Sequence, residues 1–133
     1  MFFYEYRKTW SMRVTAVKTR NGGTQTESAY WGSVRSGLRR AFRYWKPITA
    51  AKLEARRTYT GSNKRQKWEY QCAVCNQWFK GSDTQVDHII PCGSLKSSED
   101  LAGFLERLTP ESGFQVLCKP CHKIKTTKER TNG

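Results

Sequence analysis

Four cysteines stand in two C-x-x-C pairs, Cys72-Ala73-Val74-Cys75 and Cys118-Lys119-Pro120-Cys121, with 42 residues between the pairs. Each pair can turn two thiolates toward one ion, and together they make the four-sulfur set of a tetrahedral structural zinc site. A single C-x-x-C is also a redox motif, but two of them without a thioredoxin-like surrounding point to structural zinc. The stretch between the pairs then reads as a structured insertion closed at its base by the metal. Cys92, the fifth cysteine, has no partner at metal spacing and reads as a small thiol without a function of its own.

The only two histidines each sit in a motif. His88 follows Asp87 within Thr84-Gln85-Val86-Asp87-His88-Ile89-Ile90-Pro91, whose alternating apolar residues predict a short strand. His122 comes directly after Cys121, early in a helix that Pro120 predicts to begin there. A neutral imidazole, with an ordinary pKa of about 6.5, can take a proton from water, which suits His88 to general-base work. A carboxylate and an imidazole can hold a divalent cation with positions left for water, and such an ion stabilises a phosphate and a leaving 3′ oxygen. Taken singly, the residues read more plainly: Asp87-His88 as a hydrogen-bonded strand pair, His122 as a substitute zinc ligand. Their joint occurrence favours chemistry.

Together these features resemble the HNH, or ββα-metal, endonuclease family in its phage and bacterial form with a four-cysteine zinc site. The resemblance covers about residues 68 to 128. It is carried by the paired knuckles, the D-H-I-x-P strand from Asp87, the apolar run Phe114-Gln115-Val116-Leu117, and the C-x-x-C-H-x-x-K-T ending at Thr126. It implies two strands and a helix around one divalent cation, with Asp87 and His122 as ligands and His88 as general base. The cation implied is magnesium, manganese or another transition-metal ion. The activity implied is hydrolysis of DNA phosphodiester bonds, leaving 3′-hydroxyl and 5′-phosphate ends. One metal and one base per centre predict nicking, with a double-strand break needing two protomers or two visits. The chain departs from the family at Gly113, where an Asn usually braces the loop between the strands; here the bracing must come from backbone or another side chain. The basic side of the last helix, Lys123, Lys125, Lys128 and Arg130, is implied to lie near the minor groove or the cleaved strand, with Lys123 and Lys125 contacting phosphate.

The elements that must position these residues are marked by charge and periodicity. The 133 residues carry 24 basic and 11 acidic side chains, and the excess is N-terminal: 16 basic against 4 acidic through residue 70, then 8 against 7. A polyanionic partner, DNA, is the expectation. From Ser28 to Trp45 the apolar residues Trp31, Val34, Leu38, Ala41, Phe42 and Trp45 share one face of a predicted helix, with Arg35, Arg39, Arg40 and Arg43 outside it as candidate DNA contacts. Pro47 suits the first turn of a second helix. Residues 60–67 read as a basic loop whose Lys64, Arg65 and Lys67 can follow a phosphate backbone, and Trp68 to Cys72 as the segment it leads into. Ser97 to Leu108 predicts a helix N-capped by Ser97, with Leu101, Phe104, Leu105 and Leu108 facing the core. Residues 12–17 alternate weakly like a strand, and Asn21-Gly22-Gly23 reads as a break.

The fold expected is α+β: a small ββα-metal core at residues 68–133 with zinc knuckles, preceded by a basic, mainly helical DNA-binding region or arm at 1–67. No run reaches the roughly 18 apolar residues of a membrane span. The protein is expected in the cytoplasm, that of the host if a phage encodes it, as a monomer or weak dimer, with a phage packaging or replication machine as a further partner. The competing expectation is a non-catalytic zinc-ribbon regulator that binds nucleic acid.

Overall fold

A computed structural model describes residues 16–132. The aromatic stretch at 2–10 and most of the strand expected at 12–17 lie outside them; Ala16 and Val17 join no strand, and β1 begins at Lys18. β1 (Lys18–Arg20) pairs antiparallel with β2 (Gln25–Thr26). Between them Asn21, Gly22 and Gly23 all take positive φ angles, 54°, 66° and 81°. The expected break is thus a tight turn, built from residue types that tolerate the left-handed region.

Helix α1 (Glu27–Ala41) starts one residue earlier than periodicity suggests, because the Thr26 hydroxyl caps it by accepting from the Ala29 N–H at 3.1 Å. Glu27 in the first turn and Arg39 and Arg40 in the last complement the helix dipole. The helix stops at Ala41, short of the expected Trp45, whose indole N–H reaches across to donate to the Pro110 carbonyl at 2.8 Å. Its stripe of Tyr30, Trp31, Val34, Leu38 and Phe42 packs on Cys92, Leu95, Phe104 and Leu108. Phe104 is fully buried; burying a phenyl ring of that size contributes about 2–3 kcal/mol. Helix α2 (Lys46–Glu54) carries Pro47 in its first turn, as expected, and packs on the two-stranded sheet formed by residues 84–88 and 114–118.

A three-stranded antiparallel sheet follows, in the order β3 (Arg56–Thr58), β4 (Trp68–Gln71), β5 (Trp78–Phe79). A 3-10 turn at Gly81–Asp83 then leads into β6 (Thr84–His88). The route from β6 to its partner β7 (Phe114–Cys118) contains a 3-10 turn at Ser98–Asp100 and helix α3 (Leu101–Leu108). Ser97 does not cap this helix, against expectation. The 3-10 turn takes up the first residues, and Asp100 instead accepts the Lys96 N–H at 3.0 Å. The register of β6 and β7 sets Asp87 opposite Gln115 and His88 opposite Phe114. Helix α4 (Lys119–Asn132) continues directly from β7 and packs on both strands.

The chain is thus small and mixed α+β, with short sheets. β3, from the basic segment, is zipped to β4, and α1 shares its core with α3, so the two charge-defined stretches hold a sheet and a core in common. Among the described residues no helix is long and apolar enough to cross a membrane.

Candidate active site and metal cluster

Cys72 lies just after β4, in a turn whose Asn76 takes φ 61°, and Cys118 ends β7 just before α4. The Ala73 N–H donates to the Val116 carbonyl at 2.8 Å and holds the first knuckle against β7. The Sγ atoms of Cys72, Cys75, Cys118 and Cys121 all lie within 4.8 Å of one another, and those of Cys75 and Cys118 are 3.9 Å apart. Tetrahedral coordination with Zn–S bonds near 2.3 Å sets sulfurs about 3.8 Å apart, so the cluster fits a metal ion. Cys121 is pushed up to about 12 by its hydrogen bond with Cys118, with burial and the Cys72 and Cys75 sulfurs adding to it. Cys72 is held down to about 6: burial opposes this, but backbone N–H groups of Cys118, Cys75 and Val74 favour its thiolate. Leu117 and Phe79 complete this second core.

Asp87 and His88 end β6, and His122 stands in the first turn of α4. Asp87 Oδ1 lies 3.6 Å from His122 Nε2. A single divalent ion with bonds of about 2.1 Å can bridge two such atoms. Gln115, across the ladder, donates to Asp87 Oδ2 at 3.2 Å. The Lys125 ammonium lies 3.0 Å from the same Oδ2, donates to the His88 carbonyl at 3.0 Å, and pairs with Glu129. Burial alone would lower the Lys125 pKa; Glu129 and Asp87 outweigh it and raise it. Among the described residues the cysteines form the one cluster of three or more metal-binding side chains, so Asp87 and His122 would supply two protein ligands.

The His88 Nε2 lies 2.8 Å from the Leu108 carbonyl at the end of α3. A carbonyl only accepts, so Nε2 carries the hydrogen, and a neutral ring keeps its lone pair on Nδ1. Phe114 packs against the imidazole, ring centroids 4.7 Å apart. The buried Cys92 thiol, which donates to the Arg107 carbonyl at 3.7 Å, raises the His88 pKa; burial opposes this and the Leu108 carbonyl adds to it. Conversely, burial pushes the Cys92 thiol up, but His88, Arg39 and Arg35 bring it below the ordinary thiol value. Backbone groups hold this corner: the Leu108 carbonyl accepts from the ring, and the Gly113 carbonyl, at φ 103°, accepts the Ile89 N–H at 2.9 Å.

Asp87, His88 and His122 line one open cleft of about 820 Å³, rimmed by cations from three stretches of chain: Arg35 and Arg39 of α1, Lys96, and Arg130 of α4. Arg35 is anchored there by donating to the Gly93 carbonyl at 2.8 Å, over the face of Phe104. Arg40 and Arg43 are exposed and do not line it, and Arg43 lies over the Tyr44 ring. Lys64, Arg65 and Lys67 sit on the β3–β4 connection, also outside it. Lys123 is exposed, whereas Lys125 is turned inward onto Asp87. Residue types and motifs did not point to Gln115, Cys92, Glu129 or the Leu108 carbonyl. Two of these carried a usable signal: Gln115 by its register opposite Asp87, and Glu129 because positions 122, 125, 126 and 129 share one helical face.

The chain is thus a small mixed α+β protein with a four-cysteine cluster able to hold a metal ion and, beside it, a basic cleft lined by two carboxylates and two imidazoles. No protein-family model, no curated protein and no solved structure matches this chain.

Proposed function

We propose that this protein is a metal-dependent DNA endonuclease of the HNH type, with zinc in the cysteine cluster and a catalytic divalent cation held by Asp87 and His122. The observation that carries the reading is the convergence of Asp87, His88 and His122 on one basic cleft, with His88 fixed through Nε2 so that Nδ1 is the basic atom. Arg35 and Arg39 offer the cleft a positive wall for a phosphodiester backbone. Nδ1 of His88 takes a proton from water as its oxygen bonds to phosphorus; the P–O3′ bond breaks and the 3′ oxygen takes a proton from solvent. When bound, the cation would neutralise charge on the phosphate and on the departing oxygen. The products are a 3′-hydroxyl and a 5′-phosphate.

A supercoiled-plasmid assay with magnesium, manganese and other divalent ions tests this. Nicked circles are expected, and His88→Ala is expected to lower the rate by about 10²–10⁴-fold. Intact plasmid that is nonetheless bound by the protein defeats the enzyme reading. One contact favours the second reading, a zinc-stabilised nucleic-acid-binding regulator: the Lys125 ammonium on Asp87 makes a self-neutralised structural pair. Binding without cleavage at any metal is the result that selects it.

A further inference from the structure

Between Lys52 and Trp68 the chain carries six basic residues and one acidic one. Three of the cations lie over aromatic rings: the Arg56 guanidinium 3.9 Å from the Trp68 ring centroid, the Arg57 guanidinium 3.8 Å from that of Trp78, and the Lys52 ammonium 5.3 Å from that of Tyr70. The ladder pairs Arg56 with Tyr70 and Thr58 with Trp68, so Arg56, Trp68 and Tyr70 share one face of the sheet. Arg57 belongs to the other face, where it pairs with Glu69 at 2.6 Å. Among the described residues Lys52, Arg56, Lys64, Arg65 and Lys67 enter no ion pair.

The connection that carries Lys64, Arg65 and Lys67 is not a loose tether. The Tyr59 N–H donates to the Lys67 carbonyl at 2.9 Å, Gln66 N–H to the Asn63 carbonyl at 3.1 Å, and Arg65 N–H to Asn63 Oδ1 at 3.2 Å. The Gln66 amide donates to the Trp68 carbonyl at 3.0 Å and ties the loop to the strand. Three exposed cations are thereby held on a shaped turn beside a guanidinium whose flat face is already occupied by an indole. Stacking leaves the N–H edge of a guanidinium free, which is the edge that binds phosphate.

We propose that the β3–β4 hairpin, through Arg56, Lys64, Arg65 and Lys67 with Trp68 as the platform for Arg56, is a second DNA-backbone anchor separate from the cleft. None of these residues lines the cleft. Contacts of this kind are to phosphates, so the anchor adds affinity and orientation without reading sequence. The proposal rests on DNA being the substrate of the cleft; its own content is that a second surface grips the duplex.

The test is anisotropy with a fluorescent 30-base-pair duplex and zinc-loaded full-length protein, without added magnesium or manganese, over a range of salt. The Lys64→Ala/Arg65→Ala/Lys67→Ala variant is expected to lower the slope of log affinity against log salt by about 2–3, and Arg56→Gln by about 1. The triple variant is expected to keep the wild-type melting temperature, and both are expected to raise KM for plasmid nicking while leaving kcat unchanged. Unchanged slopes in both variants overturn the anchor and leave the nuclease reading standing. A wild-type protein that does not bind the duplex overturns both.

Discussion

His88 is held by a carbonyl on one nitrogen and influenced by a thiol nearby, and these fix both its tautomer and its titration. Acting as a base requires the neutral ring, and Cys92, with the Leu108 carbonyl, raises the pKa above the ordinary imidazole value despite burial. The nicking rate is therefore expected to rise with pH, with half-maximum above that value. Cys92→Ala, which removes the largest raising contact, is expected to move the half-maximum downward; a wild-type profile flat from pH 5 to 8 would contradict His88 as base. Gly113 poses a different constraint. Its φ is 103° and a Cβ there would meet no atom within 4 Å, so any cost of a side chain is backbone strain alone. Gly113→Ala is expected to lose about 1–3 kcal/mol in urea denaturation. The site was only partly legible at this scale. Cysteine pairs and histidines declare themselves by type and spacing. A backbone carbonyl such as that of Leu108 has no type to declare, and the inward turn of Lys125 follows from packing that only the paired strands reveal.

The elements separate those whose sequences repeat from those that do not. The stripe of α1 was readable because a helix lying on a core must present an apolar residue every third or fourth position, and Trp31, Val34, Leu38 and Phe42 do. The path from β6 to β7 was not. It turns at Gly93 with φ 77° and is pinned by Arg107 donating to the Cys92 carbonyl at 2.8 Å and by Arg35 to that of Gly93, contacts that leave no periodic trace. The junction of β2 and α1 makes its own prediction. Glu27 accepts from Arg20 Nε and Nη2 and from the Trp31 indole, and the Arg20 hydrogen bond is the main reason its pKa is lowered to about 2, against the opposing effect of desolvation. A depressed carboxyl adds stability above its unfolded pKa near 4.5 and loses it as pH falls toward 2. Acid titration followed by hydrogen exchange at the start of α1 is expected to show protection falling across that window. In Glu27→Gln the protection should be lower at pH 7 and insensitive to the same window.

For the whole molecule, the cysteine cluster and the charge matter most. The cluster ties a turn after β4 to the junction of β7 and α4, and therefore fixes both partners of the cleft, β6 through β7 and His122 through α4. Structural zinc contributes on the order of 10 kcal/mol or more, comparable to the net stability of a domain this size. Chelation, or Cys118→Ser, is expected to abolish the cooperative thermal transition along with nicking. A variant that keeps both its zinc and its melting temperature would refute the structural role. The net charge of +13 favours association with a polyanion, most strongly at low salt.

The bond from His88 to the Leu108 carbonyl also bears on how freely this sequence can drift. Every amino acid supplies the same carbonyl, so replacements along α3 that keep its core face leave the orienting atom where it is. Only a change in chain path reaches it: an inserted or deleted residue between Leu101 and Gly113 would rotate or displace that oxygen, and the imidazole with it. The segment can therefore vary in composition while its length stays under constraint.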